Sequence, residues 1–324
     1  MQWMTLVRRD DRGAVGIFTA IVVVVLFGFL GLAVDVGAMY DERRQLANGA
    51  DAAVLAIAED CALGVISCDQ ATANVIAAGF ASANARDGAA AVDSVTIDRV
   101  AQTVRVVTST LTDDGGRLFE PFFAEVIGYD GTTVRAAAAA QWGFPRSMRG
   151  VLPLIISECE FPQGTPLPTA ERILYFHDGN PTEPCNAQAG QDSDGDGFLA
   201  AGFGWLATAS GCQIDLATGM WRAADPGASP TTGCSVGDIS SLLGEPTPLP
   251  IFDDLVGVGA GGDYHITGFA LFVITGYNLG GQFHLNRPCS GDERCVSGYF
   301  TTGVVHDGEI GGEYRGIVIV KLTE

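Results

Sequence analysis

The sequence predicts an α+β protein with a transmembrane helix that continues into a soluble helix and a small α+β domain, followed by a disulfide-rich, mostly β domain. Residues 13–34 form an uncharged, strongly apolar run. The spacing of apolar residues then changes from intervals of three and four to alternation near residue 90, which marks a change from helix to strand. All eight cysteines follow the apolar run, which favours a stapled second half.

Residues 13–34 are long enough to cross a bilayer, because about 20 apolar residues suffice for a helical span. A cleaved secretory signal is the alternative, but its apolar region would be roughly 7 to 15 residues long. We therefore expect a retained anchor. Arg8, Arg9 and Arg12 precede the run and favour a cytoplasmic N-terminus at residues 1–12.

Residues 35–60 continue the helix, because no proline interrupts the sequence from residue 13 to residue 60. Their apolar residues recur at intervals of three and four or sums of these, which is typical of an amphipathic helix: Val36, Met39, Leu46, Ala50, Ala53 and Ile57. The stripe is rich in alanine, and small residues permit close packing. This packing suits either the chain's own domain or a second subunit.

Residues 35–144 are predicted to form a helical hairpin followed by a β-β-α-β unit. The second helix is expected at residues 69–85, and alternating valines and isoleucines predict two strands around residues 92–97 and 104–107. A short amphipathic helix is expected at residues 118–127. A strand at residues 132–142 would complete the unit.

Residues 145–324 are predicted to form a mostly β, extracellular domain. Its apolar runs are short and bounded by turn residues; they cover residues 151–156, 173–176, 266–274 and 317–322. Residues 223–233 and 245–250 are expected to be loops by composition.

The even number of cysteines on one side of the span indicates structural disulfides in an oxidising compartment. We expect disulfides that close short local loops: Cys61 with Cys68, Cys159 with Cys185, Cys212 with Cys234, and Cys289 with Cys295. Free buried thiols remain the alternative. A zinc site is disfavoured because the sequence contains no C-x-x-C pair. The cysteines thus predict a C-terminal part outside the cytoplasm.

The net charge of -20 disfavours nucleic acid as a partner, because such proteins need a basic face. Acidic residues concentrate at Asp192, Asp194 and Asp196, which alternate before a glycine as in the first half of a calcium loop. Phe203 stands where an EF-hand has its bidentate glutamate, so a complete EF-hand is excluded. Calcium held with a ligand from elsewhere and a solvated acidic turn both remain open.

No catalytic constellation is found, and we predict that the protein is not an enzyme. The four histidines lack ligand spacing, no G-x-S-x-G nucleophile motif occurs, and the glycines at residues 257–262 lack the lysine of a P-loop. A set of aromatic residues is expected to fill the β core, with a binding groove as the alternative: Phe203, Trp205, Trp221, Tyr264, Tyr277, Phe283 and Tyr299. Tyr40 is expected to be an interfacial anchor.

Residues 12–56, RGAVGIFTAIVVVVLFGFLGLAVDVGAMYDERRQLANGADAAVLA, carry a family resemblance. An arginine-glycine pair, one apolar span, an aspartate-valine-glycine exit, an aromatic residue, basic residues and an alanine-rich A-D-A-A stretch follow in order. The segment resembles TadE/TadG-like proteins of the tight-adherence (Flp) pilus system. Residues 202–212 and 264–277 more loosely resemble the C-terminal region of such proteins, especially actinobacterial ones.

The resemblance implies a membrane-anchored, minor pilin-like accessory component of pilus assembly, with other pilus proteins or further copies of itself as partners and without enzymatic activity. Two features depart from relatives. Phe18 stands where processed pilins carry a glutamate, so we expect an uncleaved anchor. The D-x-S-x-S metal motif of larger relatives is absent. A calcium-dependent cell-surface binding or adhesion protein is the alternative function.

Overall fold

The computed structural model has the predicted α+β organisation. It describes residues 12–64, 68–112, 114–162, 170–176, 185–186, 198–199, 202–257 and 261–323. Three α-helices are present in these ranges: α1 (Arg12–Leu63), α2 (Gln70–Asn84) and the short α3 (Val236–Ser240).

Helix α1 is continuous over 52 residues, as the absence of proline predicts. At 1.5 Å per residue it is about 78 Å long. Its two halves have opposite environments: residues 15–30 are exposed, whereas the second half carries fully buried residues such as Ala50, Val54 and Ile57. One half of the helix is therefore an exposed apolar segment, and the other half is part of the core of a folded domain.

Helix α2 lies against α1 and makes a hairpin with it. Asp69 caps its N-terminus, because the carboxylate accepts the backbone N–H of Thr72 at 2.9 Å. Ala73, Ala77 and Ala81 recur every four residues and are buried, so α2 presents a flat alanine face. The Cys61–Cys68 disulfide closes the connection between the two helices.

The hairpin packs on a five-stranded sheet in the order β1-β2-β3-β18-β16. Its strands are β1 (Ala90–Asp98), β2 (Thr103–Thr110), β3 (Arg135–Gly143), β16 (Gly303–Val305) and β18 (Ile317–Leu322). Neighbouring pairs are antiparallel except β16 with β18. Because β18 pairs with β3, the C-terminal strand crosses the domain boundary that the sequence predicts near residue 144.

The predicted helix at residues 118–127 is wrong for most of its length. Only a 3₁₀ helix, Ala124–Ile127, forms. Phe119 instead forms an antiparallel bridge with Thr132, and Pro121 follows it in the sequence. The bridge requires an extended backbone at Phe119, so helical geometry begins only after the chain has turned. Residues 118–132 thus form a closed loop between β2 and β3.

The second half is built on an eight-stranded sheet, ordered β11-β9-β5-β12-β13-β15-β6 with β14 paired to β13. Its strands are β5 (Leu154–Ser157), β6 (Arg172–Tyr175), β9 (Phe203–Leu206), β11 (Trp221–Asp225), β12 (Pro246–Val256), β13 (Asp263–Gly280), β14 (Phe283–Leu285) and β15 (Cys295–Thr301). Strand β13 spans 18 residues and pairs with four others, so it is the centre of this mostly β region.

Two segments predicted to be loops are partly strands. Strand β11 includes residues 223–225, and β12 begins at Pro246. Strand β12 contains three prolines, at positions 246, 248 and 250, and proline has no backbone N–H. Because these positions alternate, the missing N–H groups all fall on one edge of the strand. Strand β13 pairs along the other edge, while β5 pairs with β12 only at Ile251 and Phe252. The alternate spacing of the prolines therefore lets this segment form a strand despite its high proline content.

The remaining strands are β4 (Pro145–Val151), β7 (Cys185–Asn186), β8 (Phe198–Leu199), β10 (Ile214–Ala217) and β17 (Glu309–Ile310). The order β10-β4-β17 makes a small third sheet, and β7 pairs with β8. Near the start of β18, the buried guanidinium of Arg315 contacts Glu158 at 2.5 Å and Thr267 at 3.3 Å. This ion pair fastens the returning C-terminal chain to the β region.

Three of the four predicted disulfides are described: Cys61–Cys68, Cys212–Cys234 and Cys289–Cys295. Cys159 is also disulfide-bonded. The side chain of its predicted partner, Cys185, lies outside the described part of the chain. Within that part no cysteine is free, so the oxidised, locally stapled pattern is observed.

Candidate membrane anchor and assembly surface

The apolar half of α1 is the feature that an aqueous environment accommodates least. Its side chains point outward on all sides; Phe18, Val24 and Phe27 are 70%, 71% and 67% exposed. Within the described ranges, α1 is the one helix long and apolar enough to cross a membrane. A helix that is apolar all round requires lipid or other apolar helices as surroundings.

Asp35 is the first charged residue after the uncharged run at residues 13–34 and ends this apolar half. Its side chain is buried. One carboxylate oxygen accepts the backbone N–H groups of Phe123 at 3.0 Å and Ala124 at 2.7 Å. These donors lie at the start of the 3₁₀ helix, where N–H groups have no partner within the helix. Asp35 therefore ties the loop at residues 118–132 to α1.

One turn before Asp35, Gly31 lets the same loop approach the helix closely. A Cβ atom at Gly31 would lie 2.9 Å from Cγ of the Phe123 ring, so any larger residue would displace that ring. An open groove of about 370 Å³ lies between α1 and the loop. Its lining is apolar and includes Gly28, Leu32, Phe123, Val126 and Ile127.

The segment that contains this anchor matches a known family. Residues 13–59 match the family model described as putative Flp pilus-assembly TadE/G-like. Residues 13–59 are therefore similar to a TadE/G-like domain and are called the TadE/G-like segment. The match runs from the start of the apolar span almost to the end of α1, and the family is one of assembly proteins rather than of enzymes. No curated protein and no solved structure matches the chain.

The alanine stripe of the TadE/G-like segment is buried within the chain itself. Ala50 and Ala53 are fully buried, in a cluster with α2 residues such as Ala77 and sheet residues such as Val106. The idea that these alanines pack against another subunit is therefore wrong for this stripe. The exposed apolar surface of the TadE/G-like segment lies instead in its first half.

Asp35 is a residue that pattern reasoning on the TadE/G-like segment passed over, beyond its place in an aspartate-valine-glycine exit. A signal was present, because a carboxylate directly after an uncharged span must be solvated, paired or used as a cap. Its partner loop could not be found in this way, since 88 residues separate Asp35 from Phe123.

The calcium hypothesis rests on residues outside the described part of the chain: Asp192, Asp194 and Asp196 have no described position, and calcium there stays a prediction. Among the residues that the structure does describe, no three His, Cys, Asp or Glu side chains converge as a metal site would require.

Two of the described histidines, His265 and His284, are hydrogen-bonded in the way expected of structural residues. Nδ1 of His265 lies 2.6 Å from a carboxylate oxygen of Asp253, and its ring contacts Trp221 with centroids 5.0 Å apart. Nδ1 of His284 lies 3.1 Å from the carbonyl oxygen of Gly281. His177 lies outside the described residues.

Most of the selected aromatic residues fill the core, as the sequence predicts. Phe203, Trp205, Tyr264 and Tyr277 are buried, and burial raises the pKa of the Tyr264 phenol to about 12. Phe283 and Tyr299 are half-buried, and Trp221 is 46% exposed. Tyr40 is also exposed, five residues beyond Asp35, and the interfacial position stays a prediction for it.

Proposed function

We propose that the protein is a membrane-anchored, non-enzymatic, minor pilin-like component of the Flp pilus assembly system, with its folded head outside the cytoplasm. One observation carries the proposal. The uninterrupted helix α1 contributes both the exposed apolar part of the TadE/G-like segment and a buried part of the core of the α+β head. A pilin-like subunit needs this division between an embedded half and a presented half.

The exposed half gives the driving force for anchoring. Apolar surface contributes roughly 25 cal/mol for each Å² removed from water, and nearly every side chain from Val15 to Leu30 presents such surface. Burial of the exposed half of α1 in lipid, or among similar helices of a filament base, is therefore strongly favourable. Both environments are available to a component that assembles at a membrane.

The orientation follows from cysteine chemistry and charge. The described disulfides all lie on the C-terminal side of the span, and disulfides persist in oxidising compartments. Three arginines precede the span, which favours retention of the N-terminus in the cytoplasm. Both arguments favour a head on the extracytoplasmic side.

The head is joined to the anchor without a linker. Helix α1 passes into the domain as unbroken helix and buries Leu46, Ala50, Val54 and Ile57 there. The helix hairpin is stapled by a disulfide, and β18 returns from the β region to pair with β3. A rigid connection of this kind suits a part that holds other pilus proteins in a fixed geometry.

The proposal is tested by photo-crosslinking in the host. A benzophenone amino acid is placed at Phe18 or Val24 on the exposed half of α1, and at buried Val54 as a control for non-specific adducts. We expect Phe18 and Val24 to capture pilus-system proteins, identified by mass spectrometry, or a second copy of the chain. Capture of neither from the two exposed positions, with the protein present in the membrane, would contradict the proposed assembly role.

A further inference from the structure

The loop at residues 118–132 carries an apolar surface that the fold does not bury. Phe122, Val126 and Ile127 are 88%, 87% and 76% exposed, and Phe123 is half exposed. Bulky apolar side chains this exposed and this closely grouped are uncommon on a water-facing surface and mark a contact with another apolar phase. Packing within the chain does not account for them.

The position of the loop along α1 identifies that phase. The loop is held against the apolar span, with Phe123 on Gly31 and the groove reaching Gly28. At 1.5 Å per residue, Gly31 lies about 6 Å and Gly28 about 10 Å along the axis below Asp35. If α1 spans the bilayer, the loop cannot avoid the lipid region next to its outer boundary.

We infer that Phe122, Val126 and Ile127 form a wedge that inserts into the outer leaflet beside α1, with lipid acyl chains as the occupant of the groove. The inference rests on the proposed membrane span of α1. Interfacial segments bury their apolar face about 5–10 Å into the boundary between headgroups and acyl chains. The depths of Gly31 and Gly28 agree with that range.

Charged residues on the loop limit how deeply it inserts. Glu120, Glu125 and Asp130 are exposed, and a carboxylate is costly to transfer into hydrocarbon. They therefore lie at headgroup level, beside Tyr129, while the apolar side chains point towards the acyl chains. Because the loop is acidic, attraction to anionic lipid cannot drive insertion, so a zwitterionic bilayer is sufficient.

The wedge gives the anchor a second, lateral contact. A single helix rotates and tilts freely in a bilayer unless packing or interfacial anchors restrain it. A loop fastened to the same helix through Asp35 and inserted beside it restrains both motions. The head would then be presented at a fixed orientation to the membrane.

The test uses the full chain in nanodiscs of zwitterionic phosphatidylcholine, with a benzophenone amino acid at one of three valines. Val126 reports the wedge, Val24 reports the span, and Val100 is the matched control. Val100 is 97% exposed and lies far from Asp35 along the axis of α1. Its neighbour Arg99 donates to the Cys68 carbonyl, and a disulfide joins Cys68 to Cys61. From Asp35 to Cys61 the helix axis rises about 39 Å.

Adducts are read by intact mass. We expect lipid adducts at Val126 and Val24, and an at least tenfold lower yield at Val100. Lipid at Val24 but none at Val126 would overturn the wedge and leave the span intact. A crosslinked dimer at Val126 without lipid would assign the surface to a second copy and also overturn it. Absence of lipid at Val24 would instead overturn the span itself.

A second variant pair checks that the loop inserts in its native form. In the same nanodiscs, Val126→Asp places a charge where the wedge enters the bilayer, whereas Val100→Asp places one in water. We expect hydrogen exchange of the amides at residues 122–127 to accelerate at least tenfold in Val126→Asp only. Equal exchange in both variants would contradict insertion.

Discussion

The carboxylate of Asp35 accepts the backbone N–H of Ala124 at 2.7 Å, across 89 residues of sequence. The contact joins the point where the apolar half of α1 ends to the loop between β2 and β3. It fixes the height of the loop relative to the span. A buried acidic side chain thus holds this loop at the end of the apolar half.

Removal of this carboxylate should release the loop. In Asp35→Ala the N–H groups of Phe123 and Ala124 lose a charged acceptor, and such a bond contributes about 1.5–3 kcal/mol. We expect the Ala124 amide to exchange roughly 10- to 100-fold faster in the detergent-solubilised chain. Glu59→Gln, at an exposed position of the same helix, is the control. Unchanged exchange at Ala124 would show that Asp35 does not hold the loop.

The close contact of the two helices depends on Gly49. A Cβ atom there would lie 3.0 Å from Cα of Ala81, whereas at Gly79 it would meet nothing within 4 Å. Gly49→Ala should cost about 1–3 kcal/mol through overpacking, and Gly79→Ala should gain about 0.5–1 kcal/mol through helix propensity. Thermal unfolding of the full chain should therefore shift in opposite directions. A shift of the same sign in both variants would contradict the packing.

Asp93 should make the small domain sensitive to acid. The hydroxyl of Ser109, together with the guanidinium groups of Arg135 and Arg117, lowers the pKa of this carboxyl despite an opposing effect of partial burial. A lowered folded pKa favours the folded state fully above the unfolded value of about 3.9, and this stabilisation is lost as the pH falls through the folded pKa.

Asp93→Asn should consequently lower the melting temperature at pH 7, and the gap to the wild type should narrow as the pH falls below about 4. Ser109→Ala removes the largest cause of the shift and should reproduce part of the effect. Melting curves between pH 7 and pH 3 provide the measurement. A gap that stays constant across this range would show that the ionisation of Asp93 is not involved.

Calcium binding at residues 192–196 is a separate prediction. Asp192, Asp194 and Asp196 offer alternating hard oxygen ligands; if they hold calcium rather than forming a solvated turn, calorimetry with the full chain shows saturable calcium binding that Asp194→Asn weakens at least tenfold. Asp114→Asn is a matched control, because Asp114 already accepts the backbone N–H of Gly116 in another acidic glycine turn. No saturable binding in the unmodified chain would remove the calcium-dependent alternative.

The sequence predicted the elements with strong local patterns. The unbroken α1, the hairpin with α2 and the alternating strands β1 and β2 all follow from periodicity and from the absence of proline. The disulfide between Cys61 and Cys68 follows equally from its short loop. Each of these depends on neighbours in the chain, which is where sequence patterns carry physical information.

Features that depend on distant contacts were not predicted. The short 3₁₀ helix at Ala124–Ile127 lies in a loop closed by the bridge between Phe119 and Thr132, and it is held by Asp35, which is 89 residues from Ala124. The pairing of β18 with β3 joins the C-terminal strand to the middle of the sequence. The edge preference of the prolines in β12 depends on which neighbour pairs with the strand, which composition does not specify.

Deletion of the gene in its own host, with complementation, tests the assembly role most directly. Surface filaments are scored by electron microscopy, and surface adherence is scored in parallel. The account predicts loss of filaments that the intact gene restores, because an assembly component is missing. Normal filaments with normal adherence in the deletion strain would contradict it.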